Sequence, residues 1–188
     1  MEVEFCTITL YMIYFVRHGE TESNVRGVFA GQKDDSILTP KGKEQAKATA
    51  ETIKLEVPHI DRVICSPLKR TIATAEIIAK EIGFDLNKIE IDSRIIEHDT
   101  GSMTGTPFAG VSSIALTTAE GTEDSEKFRD RLYSFFKELS ALPETILVVS
   151  HGAVGRMLET IKKNGDTKLI YDIPVWDNAS VTKIDWIK

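Results

Sequence analysis

The chain has little with which to crosslink itself. Among its 188 residues only Cys6 and Cys65 are cysteines, so neither a disulfide framework nor a four-cysteine zinc site is available. That economy suits a reducing compartment, and the cytoplasm is the expected location. Positive charge is not in excess: 23 Lys and Arg stand against 29 Asp and Glu, a formal net charge of −6. The two signs are mixed along the chain, which argues against nucleic acid as a partner. No segment is long and apolar enough to span a bilayer, so no membrane partner is expected. The apolar run from Phe5 to Val16 differs from a secretory leader, because Glu2 and Glu4 stand where positive charge belongs and no small-residue cleavage site follows. Met12 directly precedes the strand pattern, so residues 1–11 read as an extension or the start of the first strand, and 12–188 as a single domain.

What is present is an alternation of strand and helix patterns, at 41% hydrophobic and 28% charged residues, without repeats or low-complexity tracts. This predicts a three-layer α/β/α, doubly wound, mostly parallel sheet. The first strand runs into Arg17-His18-Gly19, followed by a long polar loop to Leu38. Thr39 and Pro40 read as N-cap and first helical position, with Ala46, Ala50 and Ile53 at helical spacing. Ile60 to Cys65 is a second strand, and Ser66-Pro67 repeats the cap-then-proline start for a helix that carries Arg70 in its first turns. A weaker strand at 89–91 leads into an irregular stretch from Glu97 to Gly121. Thr122 reads as the opening of a helix whose apolar face holds Phe128, Leu132, Phe135, Phe136 and Leu139. Ile146 to Val149 is continuously apolar, as a strand covered on both faces should be, and a helix starts at Gly152. The alternation of Thr182, Ile184 and Trp186 suggests a last, antiparallel edge strand.

Ligands of such sheets gather at the carboxyl ends of the strands. Here those ends carry Arg17-His18, Ser66 with Arg70 beyond it, and Ser150-His151. Singly, each is bland: a histidine beside a glycine turn often satisfies backbone groups, and an arginine on a helix is usually a solvated face residue. Their conjunction at the ends of three strands of one sheet is hard to ascribe to surface chemistry. Two arginines and two histidines beside helix N-termini suit a phosphate. His18 would be the nucleophile toward phosphorus, kept unprotonated by the guanidiniums. Arg17, Arg70 and His151 would hold the phosphoryl oxygens, at roughly 3 to 4 kcal/mol each when removed singly. Glu97 is the expected general acid for the departing alkoxide, with Asp99 in the same loop as its competitor. His59, following Pro58 in a turn, reads as structural.

Arg17-His18-Gly19-Glu20-Thr21 with Asn24, Ser66-Pro67-Leu68-Lys69-Arg70-Thr71 with Thr74-Ala75, and Ser150-His151-Gly152 resemble the three motifs of the histidine phosphatase superfamily, the phosphoglycerate mutase-like family. The resemblance extends from about Met12 to the end. It implies phosphorylation of His18 followed by hydrolysis, with no metal or organic cofactor, and roles for Arg17, Arg70 and His151 in phosphate binding. Glu97 matches the family's acid, four residues before Gly101 and eight before Gly105. Ser23, Asn24 and Gln32 fall where the family's first loop lines the substrate pocket, Gly152 belongs to the third motif's binding end, and Asn178-Ala179-Ser180 resembles the stretch before its last strand.

Two departures stand out. Ser102, Met103 and Thr104 replace the aromatics that often surround the family's glycines after the acid, and Thr106 to Gly121 is shorter and less basic than the insertion of the mutases. The expectation is therefore a phosphomonoesterase for small phosphorylated metabolites, a monomer or homodimer. The alternatives are a phosphoglycerate mutase, a non-catalytic phosphate-binding module and a metal-dependent hydrolase, the last disfavoured because the histidines lack i, i+4 ligand spacing.

Overall fold

A computed structural model describes residues 12–185 and 187. Five strands form one sheet in the order β3-β2-β4-β1-β5: β1 (Ile13–Arg17), β2 (Arg62–Cys65), β3 (Glu90–Ile91), β4 (Ile146–Ser150) and β5 (Val181–Ile184). The first four are parallel, and β5 pairs antiparallel with β1 at the edge. The principal helices are α1 (Glu22–Arg26), α2 (Pro40–Glu56), α3 (Lys69–Ile82), α4 (Ser113–Thr117), α5 (Ser125–Ser140) and α6 (Gly152–Lys162). This is the three-layer, mostly parallel arrangement expected from the alternating pattern. The proposed N-terminal extension, Cys6 and Trp186 lie outside the described residues.

The strand alternation sorts the core into two halves. Ile146 and Val148 of β4, with Ile13 and Phe15 of β1, face Phe128, Leu132, Phe135 and Met157 of α5 and α6. Leu147 and Val149, with Val16 and Cys65, face Ala46, Ala50, Ala75 and Ile78 of α2 and α3. Every residue of β4 is buried, which is why its sequence shows no polar alternation. The helix after β1 lies on one face and the helix after β4 on the other, so the crevice between their carboxyl ends is the switch point of the sheet.

Register decides which residues meet there. Arg17 stands opposite Ser150, Val16 opposite Val149, and Cys65 opposite Val149. His18, the residue after β1, therefore stands level with His151 after β4, while Ser66 after β2 stands level with Ser150, one residue earlier. Gly19 and Gly42 allow α2 to start against these strand ends. A Cβ on Gly19 would meet the Gly42 carbonyl oxygen at 2.3 Å, and one on Gly42 would meet that of Glu20 at 2.1 Å.

Two helix starts differ from expectation. The helix after β2 begins at Lys69, with Leu68 at its N-cap and no side-chain cap. Ser66 does not cap it because its hydroxyl is taken by His151 Nε2 at 2.6 Å. Helix α5 is capped by Asp124, whose carboxylate accepts from the backbone N–H groups of Glu126 and Lys127. Thr122 instead donates its hydroxyl to the Asp99 carbonyl, closing the loop that follows Glu97. Thr39 does cap α2, with Pro40 in its first turn.

Candidate active site

The crevice holds a cavity of about 260 Å³ lined by Arg17, His18, Arg70, Glu97, Gly152 and Asn24 among others. His18 is 4% exposed, and its Nδ1 lies 2.8 Å from the carbonyl of Gly19. A carbonyl only accepts, so Nδ1 carries the proton and Nε2 keeps its lone pair. Burial first, then the charges of Arg70 and Arg17, hold the His18 pKa well below the ordinary histidine value. The imidazole is neutral at pH 7. Its backbone is fixed from both sides, with its N–H on the Ser150 carbonyl at 2.9 Å and its own carbonyl accepting from Asn178 Nδ2 at 3.0 Å.

The two arginines are anchored by backbone. Arg17 Nη1 donates to the Trp176 carbonyl at 2.7 Å, while its buried Nε has no protein partner. Burial lowers its pKa to about 10, against the opposing charge of Glu97. Arg70, 1% exposed, donates Nη1 to Asp34 and Nη2 to Gly31, both at carbonyls, and Nε to His151 Nδ1 at 3.3 Å. Since Nδ1 of His151 accepts, Nε2 carries the proton and donates to Ser66. Burial and Arg70 likewise hold the His151 pKa well below its usual value. The two imidazoles stand edge to face, ring centroids 5.4 Å apart.

Glu97 sits at the first turn of α6. Its Oε2 accepts from Ala153 N–H at 3.4 Å and its Oε1 from His98 N–H at 2.9 Å. Asp99 does not line the cavity; its Oδ1 accepts from Gly101 N–H. His98 points away, between the Tyr171 hydroxyl and the Glu123 carbonyl. Gly152 gives Arg17 room, since a Cβ there would lie 3.3 Å from its Nε.

Of the residues expected in the first loop, Asn24 lines the cavity, but Ser23 and Gln32 do not. Ser23 is fully buried behind the wall, donating to Asp34 Oδ2 at 2.6 Å and so steadying the segment whose carbonyl holds Arg70. Gln32 donates Nε2 to the Glu97 carbonyl at 2.8 Å, fixing the backbone of Glu97 from outside. His151 is not a lining residue either; it meets His18, Arg70 and Ser66 at the floor. His59 stands apart, exposed and 3.2 Å from Asp61.

The model of the histidine phosphatase superfamily, branch 1, matches residues 13–188. The chain belongs to this superfamily. Among its relatives, the probable phosphoglycerate mutase GpmB of Salmonella choleraesuis is 33% identical over 200 residues, spanning 94% of this chain and 86% of that protein. Among solved structures, a mycobacterial glucosyl-3-phosphoglycerate phosphatase superposes with a TM-score of 0.75 at 22% identity, covering 93% of this chain and 91% of that one. The phosphoserine phosphatase of Entamoeba histolytica, in complex with 3-phosphoglyceric acid, gives 0.75 at 24% identity, over 93% and 90%.

Within the superfamily pattern, this chain builds its pocket wall from unexpected residues. Phe29 and Phe108 meet edge to face with centroids 4.9 Å apart, and Phe29 also packs on Tyr171. With Val111 and Val175 they form an apolar mouth above the polar floor. Arg156 also lines the cavity and was not foreseen, although a lone cation among Val154, Met157 and Leu158, four residues after Gly152, marks the helix face that α6 turns to the site. Among the described residues, no group of three or more His, Cys, Asp or Glu side chains offers a metal-ligand set.

Proposed function

We propose that the protein is a phosphomonoesterase that works through a phosphohistidine on His18. The observation that carries this reading is the neutral imidazole with its Nδ1–H tied to Gly19 and its Nε2 lone pair free, in a cavity with three guanidiniums and one carboxyl. Nε2 attacks phosphorus and the ester P–O bond breaks. The protonated Glu97 carboxyl gives its proton to the leaving oxygen. In the second half, Glu97 takes a proton from water as that water attacks phosphorus, releasing phosphate and restoring neutral His18. Arg17 and Arg70 hold the equatorial oxygens, where negative charge concentrates in the transition state. His151 acts from the floor, fixing the Arg70 guanidinium through Nδ1. The chemistry uses no metal, and activity should persist in a chelator.

Family membership supports the reading, as do the phosphatases among the solved structures of this fold. Small phosphorylated metabolites are the proposed substrates. Mutase activity is the second reading, favoured by the 33% identity to the probable phosphoglycerate mutase GpmB. Rapid quench with a 32P-labelled phosphomonoester should trap an adduct that is acid-labile and base-stable, and His18→Ala should lose both adduct and turnover. A fully active His18→Ala variant would overturn the assignment. Incubation with 3-phosphoglycerate separates the two readings: free phosphate marks the hydrolase, the 2-isomer the mutase.

A further inference from the structure

We propose that Arg156 forms a second anion subsite in the cavity, one that takes a carboxylate on the leaving group, so that the preferred substrates are phosphorylated acids; this rests on the phosphomonoesterase reading above. Three observations converge on it. Arg156 lines the cavity, on α6 one turn beyond Gly152 and Ala153, which line it too. Its Nε is buried with no hydrogen-bond partner, and among the described residues no carboxylate lies within ion-pairing distance of it. Its guanidinium carbon is 5.2 Å from the Tyr171 ring centroid, and that ring is itself pinned by a 3.0 Å hydrogen bond between its hydroxyl and His98. The Arg156 guanidinium is thus propped over an aromatic ring, and no protein acceptor takes its Nε.

A half-buried cation without a partner is costly, and burial lowers the pKa of this one. Other shielded arginines of the molecule answer the cost with protein acceptors: Arg131 with Glu123, Arg70 with two carbonyls and His151. Arg17 leaves its Nε open as well, but at the phosphoryl end beside Gly152. Shape points the same way: a carboxylate matches the planar fork of Arg156 in two parallel hydrogen bonds and brings one negative charge to one guanidinium, whereas a second phosphate would bring two.

The test uses substrate pairs that differ only at the acid: 3-phosphoglycerate against glycerol 3-phosphate, and phosphoserine against phosphoethanolamine, with p-nitrophenyl phosphate as a general substrate and released phosphate as the signal. Wild type should favour the acid in each pair by about 10- to 100-fold in kcat/KM, chiefly through KM. Arg156→Met should bring both ratios to within about threefold of unity, and Arg156→Lys should keep an intermediate preference. Both members of a pair are read on one preparation, so any misfolded fraction cancels in the ratio. Wild type that hydrolyses p-nitrophenyl phosphate without preferring the acids overturns the subsite alone, as does an Arg156→Met variant that keeps the preference. Failure to hydrolyse any of the five compounds overturns the phosphatase reading instead.

Discussion

At the scale of single residues, the site is organised by tying its polar groups to protein partners while His18 Nε2 and Arg17 Nε keep none. His18 has one nitrogen on Gly19, Arg17 one terminal nitrogen on Trp176, and Glu97 both oxygens near backbone N–H groups. Arg70 is the most heavily tied, and it also depresses the His18 pKa. Replacing it by Met should therefore do two separable things. The rate should fall about 10²-fold, the usual cost of one oxyanion donor. The acid limb of kcat/KM should also move upward, because losing a neighbouring cation raises the imidazole pKa and lets protons compete at higher pH. In wild type that limb should lie below the ordinary histidine range, near pH 6.5. A pH-rate profile measured on both proteins reads both effects, and a variant with an unshifted limb would detach Arg70 from His18.

At the scale of elements, close packing of backbone against backbone sets where His18 stands. Helix α2 begins on the His18-Gly19-Glu20 segment with no space for a Cβ on Gly42. The Gly19 N–H is also held by Thr74 Oγ1 of α3, at 3.1 Å. Gly42→Ala should push the segment aside, costing about 1 to 3 kcal/mol in stability and lowering kcat together with it. Asp124→Ala, which removes the cap of a helix away from the cavity, should cost about 1 kcal/mol and leave kcat intact. Urea melts and turnover on the two variants make the comparison. Strand and helix identities were legible because periodicity is local: β4 is apolar from Ile146 to Val149, and α5 shows its single apolar stripe. The motif residues were legible because they end strands. The wall was not. Phe29, Phe108, Tyr171 and Arg156 come from four separate segments, and no local pattern says that they converge. Ser66 misled for a similar reason: its hydroxyl was read as a local cap, whereas a histidine 85 positions away claims it.

At the scale of the whole molecule, burying imidazoles has a thermodynamic consequence. His18, His98 and His151 are all buried with pKa values lowered chiefly by burial. The unfolded chain protonates near pH 6.5 while the folded chain stays neutral, so the unfolded state binds more protons as pH falls. Stability is therefore full above that pH and declines below it. His18 and His151 together should account for about 3 kcal/mol between pH 7.5 and 5.5. The urea midpoint should drop accordingly, with a slope against pH that reports close to two protons or more. A midpoint flat over that interval would mean that these rings take up protons in the folded state as readily as in the unfolded one.

The pairing of β1 carries one more consequence, for synthesis. The strand that leads to His18 is among the first parts of the described chain to be made, yet its two sheet neighbours are β4 and β5, at 146–150 and 181–184. Until those segments leave the ribosome, the early strand has no hydrogen-bonding partner on either side, and loop closure over so many residues delays its docking. Assembly around His18 thus waits for residues far along the chain: a nascent polypeptide stopped before β4 carries His18 without either strand neighbour that positions it.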